Sequence, residues 1–326
     1  MNHSPRIVSL LPGLTDTVLA LGMAQSLVGI SHECDLPDGW LDLPRLTRCL
    51  IPEEASSCEI DQAVRDLSGI DLYELDIEAL NELKPDLILT QSQCDVCAIS
   101  ETSVVKAGSL LKSRPVVYAA NPTNMSSVFL MIREVARLLG LRPAGEAIIR
   151  CFEDVEQSLD HRRQGTPLTQ VAHLEWLDPV MGSGHWNPEI IRMVGGRERT
   201  SMPGAKSRVL AQKAIQDCMA NCDLILLGLC GFSVERSLNE LNHLPKTNYL
   251  RSLLAMDKRR IFIIDGHRHM VRPGPILLST MSMLAEILGG NGKMDLPMAL
   301  GDLKLEVHAK DFSEILYVSD RWIVKP

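Results

Sequence analysis

The sequence predicts an α/β protein of two lobes, each with a mostly parallel sheet flanked by helices, joined by one long helix with a ligand cleft between the lobes. Three observations carry this expectation. Short apolar runs alternate with amphipathic stretches of helical period through the first part of the chain. A long helical segment without a strand follows near the middle. The alternation then resumes, so the second half repeats the first. Strands separated by helices pair in parallel, because the helix returns the chain to the same end of the sheet. At 326 residues the chain has room for two lobes of ordinary domain size.

The elements read as follows. "RIVSLL" is a strand, and "TDTVLALG" is a helix starting near Thr15 or Asp16 and closed by Gly22. "LVGIS" is a second strand. "DIEALNELKP" is a helix with Asp76 as its cap and Pro85 just past its end. "DLILT" and "PVVYA" complete the strands of a first lobe, residues 1–123. From Asn124 to Arg163 the pattern is helical with one break at "GLRPAG", and residues 124–165 hold the linking helix. In the second lobe, residues 166–290, "QVAHLEWL", "CDLILLGL" and "RRIFIID" are strands. "NPEIIRMVGG" and "PILLSTMSMLAEILGG" are its helices. Residues 291–326 form an extension with room for a short strand or two.

Composition narrows the function. The chain is 45% apolar and 23% charged, with a net charge of -8 and no basic stripe, which argues against nucleic acid. No apolar run reaches the roughly 18 residues that cross a bilayer. The opening "MNHSPRIVSLLPG" lacks the layout of a secretory signal, so the expected compartment is the cytoplasm, or the periplasm if a leader has been removed. Nine cysteines is an odd number and makes no disulfide framework.

Ligands of open parallel sheets bind outside the carboxyl ends of the strands. After "LVGIS" come His32, Glu33, Cys34 and Asp35, and after "DLILT" come Gln91, Gln93, Cys94 and Cys97. "VAHLEWL" ends in Glu175 and Trp176 and runs on to His185 and Trp186. Cys230 follows "DLILLGL", and His267, Arg268, His269 and Arg272 follow "IFIID". Each has a bland alternative. A lone cysteine after a strand is commonly a small buried apolar residue. Cys58, Cys151, Cys218 and Cys222 fall on or beside helical stretches and read as filler, and His173 lies inside a strand as a structural residue. Cys34, Cys94, Cys97 and Cys230 together suggest a shared role, as soft ligands from three strand ends.

Several blocks in order carry a family resemblance: "RIVSLLPGLTDTVLALG", "LVGISHECDLP", "LYELDIEALNELKPDLILTQSQCDVCA", "EWLDPVMGSGHWNPEIIRMVGG", "CGFSVERSL" and "DGHRHMVRPGPILL". Together they resemble the periplasmic-binding-protein family of metal-chelate and vitamin B12 carriers, most of all its cobalamin-binding-protein-like branch, up to about Gly290. The resemblance implies a rigid linking helix with limited opening and closing. It also implies delivery of a corrinoid, haem or siderophore to the membrane subunit of an ABC transporter. Asp16, where many relatives carry Glu, and Glu189 are the implied docking acids. The chain departs from the pattern in its extension, its cysteine-rich loops, and His269, Met270 and Val271 before "RPGP".

Two readings of function follow and stand open, both of them binding rather than catalysis. In the first, a cobalamin or related corrinoid lies in the cleft against Trp176 and Trp186. His185, His267 or His269 then approaches the metal or the peripheral amides, with His32, Glu33, Gln93, Glu175 and Arg272 lining the site. In the second, Cys34, Cys94, Cys97 and Cys230 hold an iron–sulfur cluster or zinc. A thiol redox pair at Cys94 and Cys97 is a minor alternative. No hydrolase nucleophile elbow is present.

Overall fold

A computed structural model of the chain describes residues 4–36, 42–66, 72–92, 100–162, 165–245, 248–256, 260–289 and 316–317. Its first part runs β1 (Ile7–Ser9), α1 (Pro12–Ala20), β2 (Leu27–Ile30), β3 (Thr47–Cys49), α2 (Ser57–Asp66), β4 (Tyr73–Leu75), α3 (Ile77–Leu83), β5 (Leu87–Gln91), α4 (Glu101–Leu110) and β6 (Val116–Ala120). Four of these strands form an all-parallel sheet in the order β2-β1-β5-β6. Helices cover both faces, so its strands are apolar on both sides. Ile7, Leu87 and Leu89 face one apolar cluster, while Val8 and Ile88 face the other. β3 and β4 pair antiparallel beside this sheet.

Local chemistry places the helix ends. α1 starts at Pro12, one turn earlier than Thr15, because proline suits a first-turn position where no N–H is needed. Thr15 instead turns its hydroxyl inward, donating to Ser9 Oγ at 2.8 Å. Asp76 caps α3 as expected, accepting from the Ala79 N–H at 2.9 Å.

Two helices follow without a strand: α5 (Met125–Leu138) and α6 (Arg142–Arg162). Asn124 and Ser127 close a capping box at the start of α5. The break falls at Gly140, whose φ of 73° is easily reached only without a side chain.

The second part runs β7 (Thr169–Leu177), β8 (Val180–Gly182), α7 (Asn187–Met193), β9 (Gly196–Glu198), β10 (Arg208–Val209), α8 (Gln212–Ala220), β11 (Leu224–Leu227), α9 (Val234–His243), α10 (Tyr249–Met256), β12 (Arg260–Ile263), α11 (Leu277–Gly289) and β13 (Leu316–Tyr317). β7, β11 and β12 are parallel neighbours, and β9 adds to β7 in parallel. The edges differ from the repeat the sequence suggests. The chain turns at Asp178-Pro179 and returns as β8, antiparallel to β7, because so short a turn cannot bring a strand back in parallel. β10 and β13 add antiparallel to β8 and β12.

One apolar cluster runs from the first sheet to the second. It includes Ile7, Leu14 and Val18, then Ile132, Ile148 and Phe152 of the paired helices, then Ile190, Leu226 and Met281. Two smaller clusters cover the outer faces of the sheets. Among the described residues, no helix is long and apolar enough to cross a membrane.

Candidate functional site

The loop after β2 and the loop after β12 meet between the sheets. Arg45 shapes the first, its guanidinium donating to the carbonyls of His32 at 2.8 Å and Cys34 at 2.9 Å. This presents His32, Glu33 and Asp35 to the facing lobe. From that lobe, His267 Nε2 reaches Asp35 Oδ2 at 3.1 Å, and Arg272 Nη2 reaches the same oxygen at 2.6 Å. Glu33 lies between two imidazoles, 3.3 Å from His32 Nε2 and 3.5 Å from His267 Nδ1. Arg272 is 5% exposed and folds back on its own loop, with Nε donating to the His267 carbonyl at 2.8 Å.

The electrostatics follow from this crowding. His32 holds the Glu33 carboxyl below its ordinary range, against the cost of burial. Burial alone raises the Asp35 carboxyl, but His267 and Arg272 outweigh it and keep Asp35 well below the usual carboxylate range. Asp16 lies beneath this cluster on α1. Burial pushes its carboxyl up to about 6, against the pull of Arg272, and its Oδ2 has no hydrogen-bond partner among the described residues.

The floor of the cleft is a backbone contact. A Cβ on Gly13 would stand 2.1 Å from the Pro273 carbonyl oxygen, and one on Gly274 would stand 2.8 Å from that of Gly13. Only glycine at both places lets the start of α1 touch the loop before α11.

A second bridge joins the lobes at α2. Its first residue, Ser57, donates from N–H to Glu240 Oε1 of α9 at 2.9 Å and from its hydroxyl to the same oxygen. Trp176 Nε1 donates to the Ser57 carbonyl at 3.1 Å, and Arg236 Nη2 donates to the Ala55 carbonyl at 3.0 Å. Ile60 of α2 packs on the outer apolar cluster of the second lobe.

Of the residues singled out from sequence, His32, Glu33, His267 and Arg272 come together, and Trp176 stands at the second bridge. Glu175 lies inside the second lobe, accepting from the Gly184 N–H, from Asn187 Nδ2 and from the Ser207 hydroxyl. Trp186 is in the continuous core, with Nε1 donating to the Met270 carbonyl at 2.9 Å. His185 stacks on it, 5.7 Å between ring centroids. His269 is buried, its Nδ1 3.0 Å from Thr280 Oγ1. Glu189 accepts from the Met125 N–H at 2.7 Å, tying α7 to the start of α5.

The cysteines divide. Cys34 is buried, with Sγ 3.1 Å from Thr15 Oγ1, and burial pushes its thiol up to about 11. Cys230 is half-buried in the loop after β11. Gln93, Cys94 and Cys97 lie outside the described residues. Among the described residues, no group of three or more His, Cys, Asp or Glu is arranged to hold a metal ion.

Sequence reasoning noted Asp35 at its strand end without assigning it a role, and left out Thr47, Arg236, Glu240 and the α2 bridge. The signal for Asp35 was the same "HECD" run that supplied His32 and Glu33. Nothing in the sequence marks the others, whose roles arise only when the two halves meet.

The sequence matches the periplasmic binding protein family over residues 7–266. Solved structures of similar fold include the periplasmic vitamin B12 binding protein BtuF of Vibrio cholerae, 17% identical, covering 87% of this chain and 96% of that one with a TM-score of 0.60. The periplasmic heme binding protein HutB of the same organism is 18% identical over 88% of this chain and 99% of that one, with a TM-score of 0.64. An ABC transporter substrate-binding protein from Listeria monocytogenes EGD-e is 15% identical over 89% and 100%, also with a TM-score of 0.64. No curated protein matches the sequence. At these identities the structural likeness is one of fold, whereas the family match spans most of the chain. The chain therefore belongs to the periplasmic binding protein family and is a substrate-binding protein of that family.

Proposed function

We propose that the chain binds a corrinoid in the cleft between its lobes, without catalysis, and passes it to the membrane subunit of an ABC importer. The observation that carries this is the convergence of His32, Glu33, Asp35, His267 and Arg272 from opposed strand ends. Proteins of similar fold bind vitamin B12 or haem, and the charge of this cluster bears on the choice. Arg272, its buried cation, is already paired with Asp35, and Glu33 adds a second carboxylate. A haem brings two carboxylates and needs unpaired cations. A corrin is fringed by amides, whose N–H groups suit carboxylate acceptors. The burial of Cys34 against Thr15, which keeps it a thiol at neutral pH, favours this reading over an iron–sulfur or zinc cluster.

The test is calorimetric titration of the purified protein with cyanocobalamin and with hemin, alongside cobalt, iron and zinc measured on the protein as isolated. Saturable corrinoid binding at least tenfold tighter than hemin is expected. Hemin binding more tightly, no corrinoid binding, or isolation with iron and acid-labile sulfide overturns the proposal.

A further inference from the structure

The cleft imidazoles are not equivalent. Both nitrogens of His267 are engaged, Nδ1 near Glu33 and Nε2 against Asp35 and the Arg272 guanidinium at 2.6 Å. His269 is turned into its own lobe. His32 differs. Thr47 Oγ1 lies 2.7 Å from its Nδ1, accepts from its backbone N–H at 3.1 Å, and donates to Ser31 Oγ at 3.2 Å. With its one proton given to Ser31, the Thr47 hydroxyl is an acceptor toward Nδ1–H, so the neutral ring, once its Nε2 proton is lost, carries its lone pair on Nε2.

Two features fix the ring in that pose. Tyr73 stands beside it, 5.6 Å between centroids, and Arg45 clamps the loop that carries it. Nε2 is buried, and its contact is the Glu33 carboxylate at 3.3 Å, without good hydrogen-bond geometry. Glu33 lies over it at 3.3 Å, on a side chain that is 40% exposed and has room to swing. An imidazole with one nitrogen anchored by an outer hydrogen bond and the other facing only a carboxylate that can move is suited to ligate a metal.

We propose that His32, through Nε2, is the axial ligand to the metal of the bound chelate, and that Glu33 is the movable cover over that position. The inference rests on the corrinoid reading above. In the exchange, the bond from cobalt to its axial water breaks and a bond from Nε2 to cobalt forms. Any proton shared between Nε2 and Glu33 leaves to solvent, and the released carboxylate turns to the amide fringe.

The test uses cobinamide, a corrinoid that lacks the nucleotide base, so that any axial nitrogen comes from the protein. Wild-type protein loaded with cobinamide is reduced to the cobalt(II) state and examined by electron paramagnetic resonance. A three-line nitrogen splitting is expected on the cobalt signal. His32→Ala and His32→Gln, checked for folding by circular dichroism, lose the splitting and bind at least tenfold more weakly. His267→Ala binds more weakly but keeps it. Thr47→Val, which removes the anchor, lowers affinity and broadens the splitting. Cobinamide binding without nitrogen splitting, or splitting that survives in both His32 variants, overturns this assignment and leaves the corrinoid reading standing. No binding of cobinamide or of cyanocobalamin overturns both.

Discussion

Asp16 offers the sharpest test of the cleft electrostatics. Its carboxyl is pushed up by burial from an ordinary value of 3.8 to about 6, with Asp35 adding to the rise and Arg272 opposing it. That difference corresponds to about 3 kcal/mol of cost for keeping the charge at neutral pH. Between pH 3.8 and about 6 the folded chain holds a proton that the unfolded chain has released. Stability attributable to Asp16 therefore falls as pH rises through that window and stays low above it. Asp16→Asn keeps the shape and removes the charge. The residue is half-buried and loses its attraction to Arg272, so a gain of about 1–3 kcal/mol is expected at pH 7.5. The gain shrinks to nearly nothing at pH 4. Urea unfolding followed by tryptophan fluorescence at pH 4, 5.5 and 7.5 measures it. A loss of stability at pH 7.5, or a gain that is the same at all three values, refutes the reasoning.

Three further perturbations follow, two from contacts across the lobes and one from a contact within the second. Gly13→Ala drives a Cβ to 2.1 Å from the Pro273 carbonyl oxygen, so the floor must move. The expected loss is about 1–3 kcal/mol or more in urea unfolding, and an unchanged midpoint counts against the contact. Trp186→Phe leaves the buried Met270 carbonyl without the indole N–H it accepts at 2.9 Å. A cost of about 1–3 kcal/mol, read as a fall in Tm, is expected. Glu240→Ala removes the acceptor for the Ser57 N–H and hydroxyl. Hydrogen exchange at the start of α2 should then quicken about tenfold, for a loss of about 1.4 kcal/mol, while the β7 amides keep their protection.

Much of the fold was legible because its signals are local. Continuous apolar strands, the Asp76 cap and the Gly140 break each rest on a few adjacent residues. The second sheet was legible only in its centre. "DPVMG" holds a hairpin whose return strand pairs with β7, and only the pairing distinguishes it from a loop. That return brings Gly184 and Asn187 onto the Glu175 carboxylate and turns the Trp186 ring into the core, away from Trp176 at the second bridge. In register, Gly182 stands opposite Leu174, so the residues after it run back along β7 toward the core. The cleft cluster was half legible. The strand-end rule located His32, Glu33, His267 and Arg272, but nothing in sequence tells which imidazole is engaged and which is poised. That distinction comes from Thr47, on a strand outside the main sheet.

The continuous core decides where motion can occur. Because α1, α5, α6, α7 and α11 contribute to one apolar cluster spanning both sheets, a wide swing of the lobes would expose side chains that each hold about 1.5–3 kcal/mol by burial. The backbone contact at Gly13 and Gly274 adds to that resistance. The α2 bridge closes a second side of the junction through hydrogen bonds with only local packing behind them. On the proposed reading, admission of a ligand falls to groups that move without disturbing the core: partly exposed carboxylates such as Glu33 and Asp35, and the α2 bridge. On that reading, a binding protein of this build selects its ligand by the chemistry at its mouth more than by closure around it. Its selectivity is thus expected to follow which side chains are already paired before the ligand arrives.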